Sequence, residues 1–461
     1  MEEQNWKEIG KNLIFLGWIF KTQRGEIVRA TIVVCLLLGS SLSTGINGSF
    51  RDNNSYIADI AVAGNRKNAI DDEKLVLAFY YAWYRNDGWW RYWPLRAAHH
   101  PVLGAYNSSD PKVIAQHIKW AKEAGIDGFI VSWWGINSIA NNNTRKIIEI
   151  ANREDFTITI YYETTKTMGK TDEDAKNEII DEITYIIDTY SDESCFLRFE
   201  NRPVIFVYAL WTHSRYFWEN VTKALREKMN IFLIGDGEPN EYPYFDGYHL
   251  YNPKDIPPES LLNSYKKFKE FFPTKLLAAT VIPGFDNRKI KKDGSHMPRY
   301  GGRTYNEFWN VAVEGKADWV LITSWNEWWE GSEIEPSWEY KEKYLELTRK
   351  WSNCFKNNKP LVYFKKPVDK YLYVFDREVI SIPFRNTIIL GGITVEAEGV
   401  AIDKVEFYID DVLRCNDTVP PYEWLWNEFA IGGHEIKVIA YDSAGNKAED
   451  RIDVMIFDLG G

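Results

Sequence analysis

From residue 75 onward the chain alternates short runs that are apolar at nearly every position with longer stretches in which apolar residues recur at helical spacing. The runs cover 75–84, 128–134, 156–163, 203–210, 231–236, 247–251, 276–282 and 319–324. They are rich in β-branched and aromatic residues and lack the apolar/polar alternation of a half-exposed strand, which predicts strands buried on both faces. Helical periodicity fills 110–124, 144–153, 172–190, 218–228, 260–272 and 305–314, with a last helix expected near 340–355. Asp110 followed by Pro111 supplies a cap and a first-turn proline for the first of these. Eight buried strands interleaved with helices predict an α/β chain closed as a (β/α)8 barrel. An open doubly wound sheet is the alternative, but no GxGxxG or Walker pattern follows any strand.

The texture changes at both ends. After Lys359-Pro360, alternating runs at 379–382, 393–397, 405–409, 436–441 and 452–457 are separated by Gly, Asp and Asn turns, which predicts a small antiparallel sandwich. Residues 405–411 (VEFYIDD) and 440–446 (AYDSAGN) resemble immunoglobulin-like modules appended to secreted carbohydrate-active enzymes. Trp424 and Trp426 are expected to pack in that sandwich or against the barrel. At the N-terminus, Lys7, Lys11, Lys21, Arg24 and Arg29 surround an apolar patch, and 30–50 then carries no ionisable carboxylate or amine. A basic flank before an apolar run predicts a signal peptide or membrane anchor with the catalytic part outside the cytoplasm. The expected division is thus 1–50 signal or anchor, 51–72 linker, 73–358 barrel and 359–461 sandwich.

Composition narrows the partners. A net charge of -11 disfavours nucleic acid, which needs a clustered positive field, and leaves a neutral carbohydrate open. The 20 Trp and 27 Tyr suit the apolar faces of sugar rings, although most must fill cores. None of the four cysteines stands in a CxxC spacing, and the only adjacent histidines are His99 and His100, so neither a metal nor a cofactor is expected. A monomer is expected.

Barrel active sites lie at the C-terminal ends of the strands, and here those ends carry acids, amides and rings. The candidate substrate contacts are Tyr81, Trp83 and Tyr84 after the first strand, Trp133 and Trp134 after the second, and Tyr162 and Glu163 after the third. Tyr208 follows the fourth, His249 and Tyr251 the sixth, and Asn326 the eighth. The decisive stretch is 319–332, where a buried strand gives way to Glu327 and Glu330 among Trp325, Trp328 and Trp329. Two carboxyls three residues apart in a turn fall on one side, which suits one as base and one as acid on a sugar. Acid work requires one of the two to hold its proton, which flanking tryptophans favour by desolvation, while the other stays ionised. Spacing alone leaves open whether the second carboxylate acts as nucleophile, base for water or base for the substrate.

The ordered set YYAWY (80–84), KEAGIDGFIVSWWG (122–135), YYET (161–164), PGFD (283–286), YGGRTY (300–305) and SWNEWWEGSEIEP (324–336) resembles glycoside hydrolase family 99, the endo-α-1,2-mannosidases and endo-α-1,2-mannanases. The resemblance spans about 75–350. It implies a metal-independent, retaining (β/α)8 hydrolase that cuts internal α-1,2-mannosidic bonds. It further implies that Glu327 deprotonates the sugar's own 2-hydroxyl to form a 1,2-anhydro intermediate, and that Glu330 protonates the leaving oxygen and later activates water. Trp329 departs from the family pattern, which usually has His there. Two other readings are a transferase or processing enzyme of a surface glycan, and a non-catalytic glycan-binding surface protein.

Overall fold

The structure is a computed structural model, and it describes residues 17–21, 27–31, 73–383 and 386–460. Gly17–Lys21 and Ile27–Thr31 pair as an antiparallel hairpin; the rest of the expected anchor and linker lies outside the described residues. Among the described residues no helix is long and apolar enough to cross a membrane.

Eight parallel strands form the barrel: β1 Leu75–Tyr80, β2 Gly128–Trp133, β3 Thr157–Tyr162, β4 Arg202–Val207, β5 Phe232–Asp236, β6 Gly247–His249, β7 Leu276–Val281 and β8 Trp319–Ile322. Each pairs with its neighbours in sequence, and the pairing of β8 with β1 closes the ring. The strands are apolar throughout because both faces are covered. Leu77 and Phe79 point into the barrel, whereas Val76, Ala78 and Tyr80 meet the helices.

Seven helices surround it: α1 Pro111–Glu123, α2 Ile139–Glu154, α3 Asp172–Tyr190, α4 Arg215–Lys228, α5 Pro258–Phe271, α6 Arg303–Glu314 and α7 Lys343–Asn357. Asp110 caps α1 by accepting from Lys112 N–H at 2.9 Å, with Pro111 in the first turn. The α2 helix starts five residues before the expected 144, because Ser138 caps it by accepting from Asn141 N–H at 3.0 Å. Between β5 and β6 the described residues form no helix. Asp246 closes that short link by accepting from Leu233 N–H at 2.9 Å and pairing with Arg202 and Arg226, each at 3.0 Å.

The chain then enters the sandwich. A three-stranded sheet (Leu361–Lys366, Ile393–Val400, Tyr422–Trp426) faces a seven-stranded one. Trp426 is buried in the core between them and Trp424 stacks on it, as expected. Leu361, Tyr363 and Val400 join the apolar cluster of the barrel helices instead, with Tyr363 against Trp351 of α7. Ion pairs Arg303–Glu378, Lys343–Asp369 and Lys350–Asp450, at 3.0, 2.8 and 3.1 Å, run across the same junction.

Candidate active site

The loop after β8 is fastened on three sides. Trp325 N–H donates to the Phe79 carbonyl of β1 at 2.8 Å, and Thr323 Oγ1 donates to the Tyr251 carbonyl at 2.8 Å. Across its own base, Ser324 N–H donates to the Ser332 carbonyl at 2.8 Å. Within this frame Ser324 Oγ accepts from Glu327 N–H at 2.7 Å, and Glu330 N–H donates to the Glu327 carbonyl at 3.2 Å. That single turn carries both carboxyls. Gly331 makes it possible: its φ is +58°, and a Cβ there would stand 3.1 Å from both Ala98 Cβ and Asp286 N.

Burial pushes Glu327 well up from the ordinary carboxylate range, the Glu330 charge adds to this, and a 3.2 Å hydrogen bond from Trp329 N–H opposes it. Burial also raises Glu330, against the charges of Lys291 and Lys254 and a hydrogen bond from Tyr251. The sequence expectation of a protonated Glu330 beside an ionised Glu327 is therefore modified: both are raised, and Glu327, the more deeply buried, is raised strongly. Two carboxyls sharing a site of low polarity lose their protons in two separated steps, the second harder than the first. Over the interval between those steps the pair holds one proton and one charge; catalysis with Glu330 as the acid uses the arrangement with that proton on Glu330, opposite to the order that burial alone favours.

The wall around the pair comes from several strand ends. Tyr81 and Tyr251 join hydroxyl to hydroxyl, and Trp83 lies between Tyr81 and Trp329, its ring 15° from parallel to that of Trp329. Tyr208 packs on Tyr161 and Tyr251. Glu163 is buried and accepts from Ser132 Oγ at 2.6 Å, while Trp134, 40% exposed, donates to that same Oγ at 2.9 Å. Burial pushes Glu163 up to about 8 despite the Ser132 hydrogen bond.

Five expected contacts lie elsewhere. Trp133 and Tyr162 occupy the strand positions that face the helices: Trp133 Nε1 donates to Asn141 of α2 at 3.0 Å and the Tyr162 hydroxyl to Glu182 of α3 at 2.7 Å. His249 is sealed inside the barrel among Phe79, Tyr161 and Phe206, and burial lowers it to about 3. Tyr84 and Asn326 are fully buried and hold the loop. The Tyr84 hydroxyl accepts from Trp328 N–H at 3.1 Å, and the Asn326 amide clasps Tyr81 through its N–H and carbonyl at 2.7 and 3.0 Å.

Sequence reasoning missed the supports. Asp236 accepts from Tyr251 N–H at 3.0 Å and Ala209 N–H at 3.1 Å, and burial lifts it to about 6. Behind the loop, Glu333 accepts from Arg299 at 2.8 Å and contacts His99 Nδ1 at 2.8 Å. Glu335 accepts from Trp328 Nε1 at 3.0 Å and the Tyr106 hydroxyl at 2.8 Å, and lies 3.1 Å from His117 Nε2. Among the described residues no group of three or more His, Cys, Asp or Glu could hold a metal ion.

The description of glycosyl hydrolase family 99 matches residues 94–357. The chain belongs to that family. This family-99 glycoside hydrolase also matches a bacterial Ig domain over 384–438. It is 25% identical over 348 residues to a human glycoprotein endo-α-1,2-mannosidase-like protein, covering 60% of this chain and 75% of the relative. Over the same length it is 25% identical to the mouse glycoprotein endo-α-1,2-mannosidase, covering 60% and 74%. Among solved structures it is similar to the family-99 endo-α-mannosidase of Bacteroides thetaiotaomicron, with a TM-score of 0.54 and 23% identity, over 62% of this chain and 98% of that one. That likeness places the barrel among family-99 folds, and the substrate of this family-99 hydrolase is a glycan.

Proposed function

We propose that the protein is a retaining, endo-acting hydrolase of internal α-1,2-mannosidic bonds in mannan or mannose-containing oligosaccharides. The observation that carries this reading is the single turn bearing Glu327 and Glu330 at the barrel mouth, in a family-99 chain with mannosidase relatives. Glu327 takes the proton of the 2-hydroxyl, and that oxygen attacks C1 as the C1–oxygen bond to the leaving sugar breaks. Glu330 gives its proton to the departing oxygen. The resulting 1,2-anhydro sugar is opened at C1 by water that Glu330 deprotonates, while Glu327 returns its proton to O2. Two displacements at C1 give net retention. Tyr81, Trp83, Trp134, Glu163, Tyr208 and Tyr251 form the substrate wall in this reading.

The matching bacterial Ig domain and the basic-then-apolar N-terminus support an extracytoplasmic catalytic part, either anchored or released. The division at 50, 72 and 358 and a monomeric state belong to the same proposal. Incubation with α-1,2-manno-oligosaccharides, following the product anomer by proton NMR, tests the chemistry. Early α-configured product of two or more sugars is expected from the parent and absent from Glu330→Gln. Early β-product would sink the mechanism, and products longer than the substrate would replace hydrolysis by transfer.

A further inference from the structure

Three loops from different strands meet at Gly331, beside the proposed acid. A Cβ on this glycine would stand 3.1 Å from Ala98 of the β1 loop and from Asp286 of the β7 loop, and Asp286 N–H donates to the Glu330 carbonyl at 2.6 Å. Each neighbouring loop brings cations to this point. The Arg96 guanidinium lies 5.5 Å from the centre of the Trp329 ring, and Lys289 donates to the Ala97 carbonyl at 2.6 Å. Lys291 is exposed on the same loop as Lys289, and Lys254 of the β6 loop lies 5.4 Å from the Phe285 ring. Lys254 and Arg288 are paired with Asp255 and Asp286, but the contacts of Arg96 and Lys289 are a ring and a carbonyl.

This rim runs against the net charge of -11 on the chain. It also acts on the reaction: Lys291 and Lys254 are the charges that pull Glu330 down against the effect of burial. For a neutral sugar alone those cations oppose the acid. An anion bound beside Lys291 would offset its field, as Asp255 does for its partner Lys254, and leave the raised proton affinity that an acid needs at neutral pH.

We propose that the natural glycan carries an anionic substituent, a phosphate ester or a uronate carboxylate, held beside Glu330 by Arg96, Lys289 and Lys291. This rests on the reading of Glu330 as the acid and names the substrate class more closely. Because the anion relieves Glu330, its presence raises kcat as well as lowering KM.

The test compares α-1,2-mannotetraose, its 6-phosphate ester and its C6-oxidised uronate as substrates of the full chain. At low salt the charged substrate is expected to exceed the neutral one about tenfold in kcat/KM, a preference that shrinks as salt screens it. An Arg96→Gln/Lys291→Gln variant, altered at two exposed positions, should lose most of that ratio while keeping the parent's circular dichroism. Preference for one charged substrate over the other identifies the anion. Equal kcat/KM for all three in the parent overturns the proposal, as does a preference unchanged in the double variant. If none is cleaved, calorimetry decides: tighter, salt-sensitive binding of a charged tetrasaccharide keeps the anion site and removes the mannosidase reading, whereas no tighter binding removes the site.

Discussion

The Tyr84 hydroxyl donates to the Asn326 carbonyl at 2.9 Å, so the segment after the first strand holds the loop of the last strand. The same oxygen accepts from Trp328 N–H, one residue from Glu327 and two from Glu330. Tyr84→Phe removes both bonds and leaves the buried Trp328 N–H only the Asn326 carbonyl, 3.0 Å away, at a cost of about 1–3 kcal/mol. Since Tyr84 is fully buried, the expected kinetic signature is a fall in kcat of about tenfold with little change in KM, from a displaced carboxyl pair. Steady-state kinetics beside thermal unfolding checks this. A raised KM at unchanged kcat would instead make the ring a substrate contact.

The two carboxyls separate by the leaving group they need. Glu327→Gln and Glu330→Gln are each expected to lose about 10²–10⁴-fold in kcat/KM on a manno-oligosaccharide. A mannosyl fluoride departs without a proton, so it should restore much of the Glu330→Gln rate and little of the Glu327→Gln rate. Equal rescue of both would erase the assignment of roles.

Glu163 gives a pH signature. Burial raises its carboxyl to about 8 from the ordinary 4.5, so the folded protein keeps a proton that the unfolded chain releases above 4.5. Its contribution to stability is therefore complete below pH 4.5 and is lost as pH rises towards 8. Glu163→Gln cannot ionise, so relative to the parent it should gain up to about 5 kcal/mol across that interval and level off above it. Asp236, lifted to about 6, titrates in both proteins, and its charge adds to the rise of Glu163 in the parent. Denaturant unfolding of both proteins at pH 5, 7 and 9 measures the gap; a constant difference would mean that Glu163 is ionised throughout.

The order of strands and helices was legible because each strand is apolar end to end and each helix carries its own period. The same uniformity hid which face of a strand looks inward. Trp133 and Tyr162 are as apolar as their neighbours, and only the acid at Glu163 marks the inward parity, which places Tyr161 inside and Tyr162 among the helices. His249 reads as polar at a strand end, yet the short β6 strand carries it inside the barrel, where burial keeps the ring neutral. Glu333 and Glu335 were visible as acids, but their partners Arg299, His99, Tyr106 and His117 come from distant segments that only the closed barrel brings together. The missing helix between β5 and β6 had a local signal in Pro239 and Pro243, which leave no room for a helical run.

That support predicts a further loss. Arg299 and Glu333 are 6% and 1% exposed, and the pair lies directly beneath the turn that carries Glu327 and Glu330, with Arg299 also donating to the Gly331 carbonyl at 3.1 Å. Glu333→Gln leaves the guanidinium buried without its charge partner, a change that costs about 3–5 kcal/mol. Thermal unfolding should show the loss, and activity should fall at temperatures where the fold persists. A double change of Arg299 and Glu333 to Met and Gln should recover part of the stability, since no lone charge remains, but not the activity, since the Gly331 carbonyl loses its donor.

The sandwich is expected to stabilise the barrel through shared apolar surface. Leu361 and Tyr363 bury into the helix layer beside Trp351, and each such side chain contributes about 1.5–3 kcal/mol when withdrawn from water. A chain ending at 358 exposes their partners, and for a barrel of this size a loss of about 3–5 kcal/mol corresponds to a Tm lower by roughly 10 °C. Tyr363→Ala in the full chain removes the contact while keeping the module, so it should reproduce a substantial part of that fall. If the truncated barrel melted with the parent while Tyr363→Ala were also silent, the junction would be a tether only. If truncation destabilised but Tyr363→Ala did not, the ion pairs of Arg303, Lys343 and Lys350 would have to carry the coupling. That outcome is disfavoured because those pairs are partly exposed and screened by salt, whereas the buried ring is not.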